Sequence, residues 1–142
     1  MDFYISSLAI FLKSANSIGD KDIKLTERIF LPSSKLRGFE RGKVGPKDGD
    51  DFIGGNFATS VNFNTTIPGI FKNVQNLDAS LFVDIANIWG VDYDSAIDNS
   101  DKVRISIGIG IDWFSAIGPI NFSFTENISK ASTDVTESFR FN

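Results

Sequence analysis

The sequence predicts an all-β fold, an antiparallel transmembrane β-barrel segment, and three observations lead there. Apolar and small polar residues alternate with period two over several stretches, the mark of strands with two unlike faces. The polar face is mostly Ser, Thr, Asn, Gly and Ala with single charges, whereas a sheet face open to bulk water usually carries many Lys and Glu. Short connections alternate with long ones, as in a barrel with tight turns on one side of a membrane and long loops on the other.

The elements follow in chain order. "YISSLAIFLK" (Tyr4 to Lys13) and "IKLTERIFL" (Ile23 to Leu31) read as strands, less regular than the rest. "FATSVNFNTTI" sets Phe57, Thr59, Val61, Phe63 and Ile67 against Ala58, Ser60, Asn62, Asn64 and Thr66. "LDASLFVDIANI" sets Leu77, Ala79, Leu81, Val83 and Ile85 against Asp78, Ser80, Phe82, Asp84 and Ala86. "VRISIGIGIDWF" is the clearest: Val103, Ile105, Ile107, Ile109, Ile111 and Trp113 oppose Arg104, Ser106, Gly108, Gly110, Asp112 and Phe114. "PINFSFT" places Ile120, Phe122 and Phe124 on one side. The tail, Val135 to Asn142, alternates Val135, Phe139 and Phe141 with Thr136, Ser138 and Arg140. That makes about seven strands by the period-two criterion. "SAIGP" (Ser115 to Pro119) is a tight turn, while Ser33 to Asn56 and Asn87 to Lys102 are long polar connections.

Composition narrows the function. The chain has no cysteine and no histidine, which removes disulfides, thiolate or imidazole metal sites and any histidine-based triad. The net charge of −4 argues against a nucleic-acid partner. Asp92, Asp94, Asp98 and Asp101 lack the order of a calcium loop, and "GKVGPKDGDD" lacks the ending of a phosphate-binding loop. No catalytic residues, no metal and no cofactor are expected, and the protein is not expected to be an enzyme. The start "MDFYISSLAIFLKS" is too polar for a secretory signal, and no stretch approaches the roughly 20 apolar residues of a membrane-spanning helix.

Patterning leaves one alternative open: a soluble β-sandwich or lipocalin-like barrel binding a small apolar ligand, with Ile105 to Trp113 buried in a core. Against it stand the sparsely charged polar face and an apolar face that is unbroken from Val103 to an aromatic at Trp113, as in the girdle of an outer-membrane barrel. Seven strands would leave two open edges in lipid, which is not viable. Either an edge pairs with another chain or residues 1–142 form part of a larger barrel, and the larger barrel is the expectation.

Six motifs then occur in order: "ERIF" (Glu27 to Phe30), "LRGF" (Leu36 to Phe39), "GPK" (Gly45 to Lys47), "GGN" (Gly54 to Asn56), "LFVDIANIW" (Leu81 to Trp89) and "WFSAIGP" (Trp113 to Pro119). In these the chain resembles the C-terminal barrel segment of the BamA-type outer-membrane assembly factors, the bacterial surface-antigen family. The resemblance implies about six or seven strands of a sixteen-stranded barrel, with the periplasmic domains and first strands lying outside the segment. It also implies location in the bacterial outer membrane and a role in folding and inserting other β-barrel proteins. A polypeptide-secretion transporter of the same family is the alternative. The implied partners are unfolded outer-membrane β-barrel proteins, outer-membrane lipids and accessory assembly lipoproteins.

Residue by residue, the resemblance makes Arg37, Gly38 and Phe39 the tip of a long loop folded into the lumen. Asp84 becomes the wall acid that meets Arg37, with Asn64 and Asp112 as further candidates. Phe139 and Phe141 fall on the strand of a lateral seam. Parity independently puts Asp84 on the small, polar face of its strand. The basic cluster Lys35, Arg37, Arg41 and Lys43 would otherwise be a solvated loop or an anion or lipopolysaccharide contact.

Overall fold

The computed structural model describes residues 5–14, 29–32, 34–48, 51–67, 76–90 and 102–141. Six strands form one antiparallel sheet in the order β1-β4-β5-β6-β7-β8. They are β1 (Ile5–Ser14), β4 (Phe57–Ile67), β5 (Leu77–Trp89), β6 (Arg104–Ser115), β7 (Gly118–Ser129) and β8 (Phe139–Phe141). A minimal hairpin of β2 (Lys47–Asp48) and β3 (Asp51–Phe52) lies within the connection from β1 to β4. Neighbours in the main sheet follow one another along the chain, with the small hairpin aside, so the sheet is an open meander.

Register makes the two faces explicit. Val83 lies opposite Phe63 and Ile107, and Ile109 opposite Leu81 and Phe124, so these residues share one face. Asp84 lies opposite Asn62 and Ser106 on the other. A register shift between Ile105 and Ser106 marks a bulge against β7. Ser115 pairs with Gly118 across a two-residue turn. Gly118 takes a φ of 125° there, in a region that L side chains rarely adopt, and the Ser115 hydroxyl donates to the Gly118 carbonyl at 2.7 Å.

The buried core sits on the face that the sequence reads as polar. Ile29, Leu31, Leu36, Phe39 and Val44 of the long connection pack against Ala58, Ala86 and Ile88 of the sheet. The small wall residues Ala58 and Ala86 leave room for the loop, so hydrophobic burial holds it against the inner wall. On the opposite face, Leu8, Ile10, Leu81, Ile107, Ile109, Phe124 and Phe139 are exposed. A soluble fold buries its continuous apolar face. The core expected for Ile105 to Trp113 in the soluble alternative is absent, since Ile109 is 48% and Trp113 41% exposed.

The dimensions fit a bilayer. Trp113 pairs with Leu77 at one end of β5, and Phe57 pairs with Trp89 at the other, where the two rings stack 5.6 Å apart. The twelve-residue step from Leu77 to Trp89 spans about 40 Å along a strand, or roughly 30 Å in height at the tilt of about 40° usual for such barrels. Aromatic residues thus mark both edges of an apolar band as tall as a hydrocarbon core.

Two expectations need correction or limitation. The tail strand expected over Val135 to Asn142 is confined to Phe139–Phe141, because the preceding backbone pairs with the long loop. Val135 O accepts from Glu40 N at 2.9 Å, Glu137 N donates to Gly38 O at 2.8 Å, and Phe39 bridges Thr136. The strand expected over Ile23 to Leu31 lies mostly outside the described residues. Its Ile29 forms an isolated bridge with Gly55.

Candidate functional site

The site is built from one loop and residues of the strands β4, β5 and β7. The segment Leu36–Arg37–Gly38–Phe39 lies against the inner wall, with Leu36 and Phe39 almost fully buried as anchors. Between them Arg37 turns toward β5. Gly38 has a φ of 89°, and a Cβ there would fall 2.3 Å from the Thr125 methyl. Its position thus requires glycine twice over, for the backbone conformation and for close approach to β7.

Arg37 and Asp84 make a forked ion pair. Arg37 Nε donates to Asp84 Oδ2 at 2.7 Å and Nη2 donates to Oδ1 at 2.7 Å. The backbone N–H of Arg37 adds a bond to Oδ2 at 3.0 Å, and Asn62 Nδ2 donates to Oδ1 at 3.0 Å. Four donors match the four lone-pair directions of a carboxylate, so this fully buried acid is satisfied despite its removal from water. Two parallel charge-assisted bonds also fix orientation, which a lysine could not do. Arg37 Nη1 donates to Asn64 Oδ1 at 3.3 Å, and the guanidinium lies 3.7 Å from the centre of the Phe82 ring. Asn62 Nδ2 also donates to Lys35 O at 2.7 Å, which fastens the loop two residues before the arginine.

Of the residues singled out from sequence, the structure brings Arg37, Gly38, Phe39, Asp84 and Asn64 together. Asp112 is elsewhere. It pairs with Asp78, six positions along β6 from the Ser106 that faces Asp84, a separation of about 20 Å. It accepts a hydrogen bond from Asn121 Nδ2. Phe139 and Phe141 lie on the outward face of β8, with rings 5.1 Å from Phe124 and 5.3 Å from Phe122. Arg41 and Lys43 of the basic cluster are exposed.

A second buried ion pair escaped the sequence reading. Arg104 Nε donates to Asp134 Oδ2 at 2.8 Å and Nη2 to Oδ1 at 3.1 Å, with both side chains wholly buried. Arg104 Nη1 also donates to Asn87 Oδ1 and to Lys102 O. Parity had placed Arg104 on the inner face, as it had Phe82 and Asn62. It could not place Asp134, which lies between strands.

An antiparallel sheet with one apolar face, aromatic edges and a loop locked to its other face defines a segment of a transmembrane β-barrel with an occupied lumen. The chain belongs to the Omp85 superfamily: the family model described as the Omp85 superfamily domain matches residues 2–142. It is 25% identical over 139 residues to the outer membrane protein assembly factor BamA of Neorickettsia risticii, covering 94% of this chain and 19% of that protein. To the factor of the same name from Neisseria meningitidis serogroup B it is 28% identical over 137 residues, covering 75% of this chain and 17% of the relative. It superposes on the crystal structure of BamA from Haemophilus ducreyi lacking POTRA domains 1-3 with a TM-score of 0.85 and 28% identity, covering 97% of this chain and 30% of that one. The chain therefore spans about a fifth of the length of these two curated relatives. The expected fold and the resemblance to a BamA-type barrel segment are borne out.

Proposed function

We propose that this chain is the loop-plugged part of the barrel of an outer-membrane protein assembly factor, seated in the bacterial outer membrane, that folds and inserts other β-barrel proteins. The observation that carries the reading is the inward loop fixed through Arg37 and Asp84 and continued by backbone pairing to the lead-in of the edge strand β8. The names of the relatives, outer membrane protein assembly factors, support it.

The chemistry asked of such a protein is non-covalent. An edge strand in a barrel wall presents unpaired N–H and C=O groups, and an incoming strand gains hydrogen bonds by adding to it. The braced loop keeps the inner wall in shape while that edge is free. The partners are then unfolded β-barrel chains and the lipids around Phe139 and Phe141, with accessory lipoproteins acting elsewhere on the whole protein. No step requires a cofactor or a catalytic side chain.

The test is reconstitution of the intact protein carrying this segment in lipid vesicles, followed by the folding of an added, urea-unfolded β-barrel client. The expected result is faster client folding than in empty vesicles, with most of the gain lost in Arg37→Ala. Equal rates with and without the protein would overturn the reading.

A further inference from the structure

We propose that Arg104 and Asp134 form a latch that positions the edge strand β8, tying its lead-in to the lumenal loop so that loop and edge strand move as one body. Asp134 is where three elements converge. Its carboxylate accepts two bonds from Arg104 on β6, one from Ala131 N in its own connection at 2.9 Å, and a longer one from Gly45 N of the lumenal loop at 3.4 Å.

The chain that follows is attached to the loop before it reaches the wall. Val135 N donates to Lys43 O at 3.0 Å, Glu40 N to Val135 O, and Glu137 N to Gly38 O. Only at Ser138 does β7 take over, with Thr125 N donating to its carbonyl at 2.8 Å, and β8 itself pairs with β7 at three positions. Arg140 of β8 then reaches back to donate to Phe39 O at 2.7 Å. The place of β8 along β7 is therefore set by the loop, and the loop and lead-in are together pinned to β6 by the buried ion pair. A charge-assisted fork with both partners out of water fixes distance and orientation at once. Removal of one partner would strand the other as a buried charge.

Arg104 and Asp134 are positioning residues in this account. The test places a cysteine pair at Phe124→Cys and Phe139→Cys, which are opposite one another on β7 and β8, in the intact membrane-embedded protein. This segment has no cysteine of its own, so any disulfide formed within it reports that pairing. Asp134→Asn is expected to lower the cross-linked fraction severalfold in barrels that still show heat-modifiable migration. Arg104→Lys, which keeps a positive charge in place and guards against simple misfolding of the first variant, is expected to lower it less. The double variant should fall no further than Asp134→Asn alone, because one pair is being removed twice. Arg37→Lys, whose own side-chain bonds run to β4 and β5 rather than to β8, should also reduce the cross-link if loop and strand are one body. Unchanged cross-linking in Asp134→Asn and Arg104→Lys would overturn the latch, and so would additive effects of the two. An unchanged result in Arg37→Lys would overturn the coupling. The relevance of the latch to strand capture rests on the assembly reading above, but the cross-link reports β8 alone. A lowered cross-link with unchanged client folding would keep the latch and remove its part in assembly.

Discussion

The Asp84 carboxylate receives three hydrogen bonds from Arg37 alone, two from the guanidinium and one from the backbone N–H. Side chain and main chain of one loop residue thus converge on one wall acid. The pairing holds both the direction of the arginine and the path of the loop that carries it.

Asp84→Asn is expected to destabilise the folded barrel by about 3 kcal/mol, because an amide turns an NH₂ group toward donors and leaves the guanidinium without its counter-charge. Arg37→Lys keeps the charge and the backbone bond but loses the fork, for an expected cost of about 1–2 kcal/mol. Urea-unfolding midpoints in the same detergent or lipid would give the order of the two variants.

Gly38→Ala is expected to lift the loop tip from the wall. The new methyl would lie 2.3 Å from Thr125 Cγ2 and 2.9 Å from its Cβ, on a backbone with φ of 89°. A cost of about 2–3 kcal/mol combines overpacking with left-handed strain. Adding Thr125→Ser removes the nearer methyl and should return part of the stability, with the backbone strain left unrelieved. Equal stability of the single and double variants would contradict this division.

Gly108 acts on the same lock from below. A Cβ at this position would meet the Phe82 ring at 2.5 Å and the Phe124 carbonyl oxygen at 2.3 Å. Gly108→Ala is therefore expected to displace Phe82 from beneath the Arg37 guanidinium, losing a cation–π contact worth about 0.5–2 kcal/mol and disturbing the β6–β7 ladder. Phe82→Leu alone should lose the cation–π contact and leave the ladder intact. Amide exchange along β6 would separate the two effects: faster in Gly108→Ala, unchanged in Phe82→Leu.

On the outward face, Ile109→Lys is expected to cost about 2–4 kcal/mol in a bilayer, as for a lysine near the midplane of a barrel's lipid-facing side. Trp113, exposed at the edge of that face, should be quenched by lipids brominated near the headgroup. Failure of quenching in Trp89→Phe, where Trp113 is the remaining tryptophan of this segment, would remove Trp113 from the lipid boundary.

Much of this architecture was legible because a strand's two faces follow from parity. Asp84, Phe82, Asn62 and Arg104 could all be assigned to one wall without knowing what they met. Parity is silent between strands, however. Asp134 carries no period, and its partner is 30 residues away, so the second ion pair could be found only in three dimensions. The tail misled for a related reason. Val135 shares the period-two phase of Phe139 and Phe141, with Glu137 breaking it, but an extended backbone can bond to a loop as readily as to a sheet, and alternation does not name the partner. Asp112 shows a third limit: being on the right face says nothing about height along the barrel.

The path of the loop also constrains the order of events as the chain folds. Phe39 is bonded to Arg140, 101 positions away, and the strands that separate them in sequence form the wall that the loop lines. Such long-range contacts form late and slowly, because the intervening chain must be ordered first. A wall joined edge to edge before the loop had tucked in would have to admit a segment bearing the large apolar side chains Leu36 and Phe39. The loop is thus best placed while the wall still gapes, and the last step of maturation becomes the joining of edges around cargo already aboard.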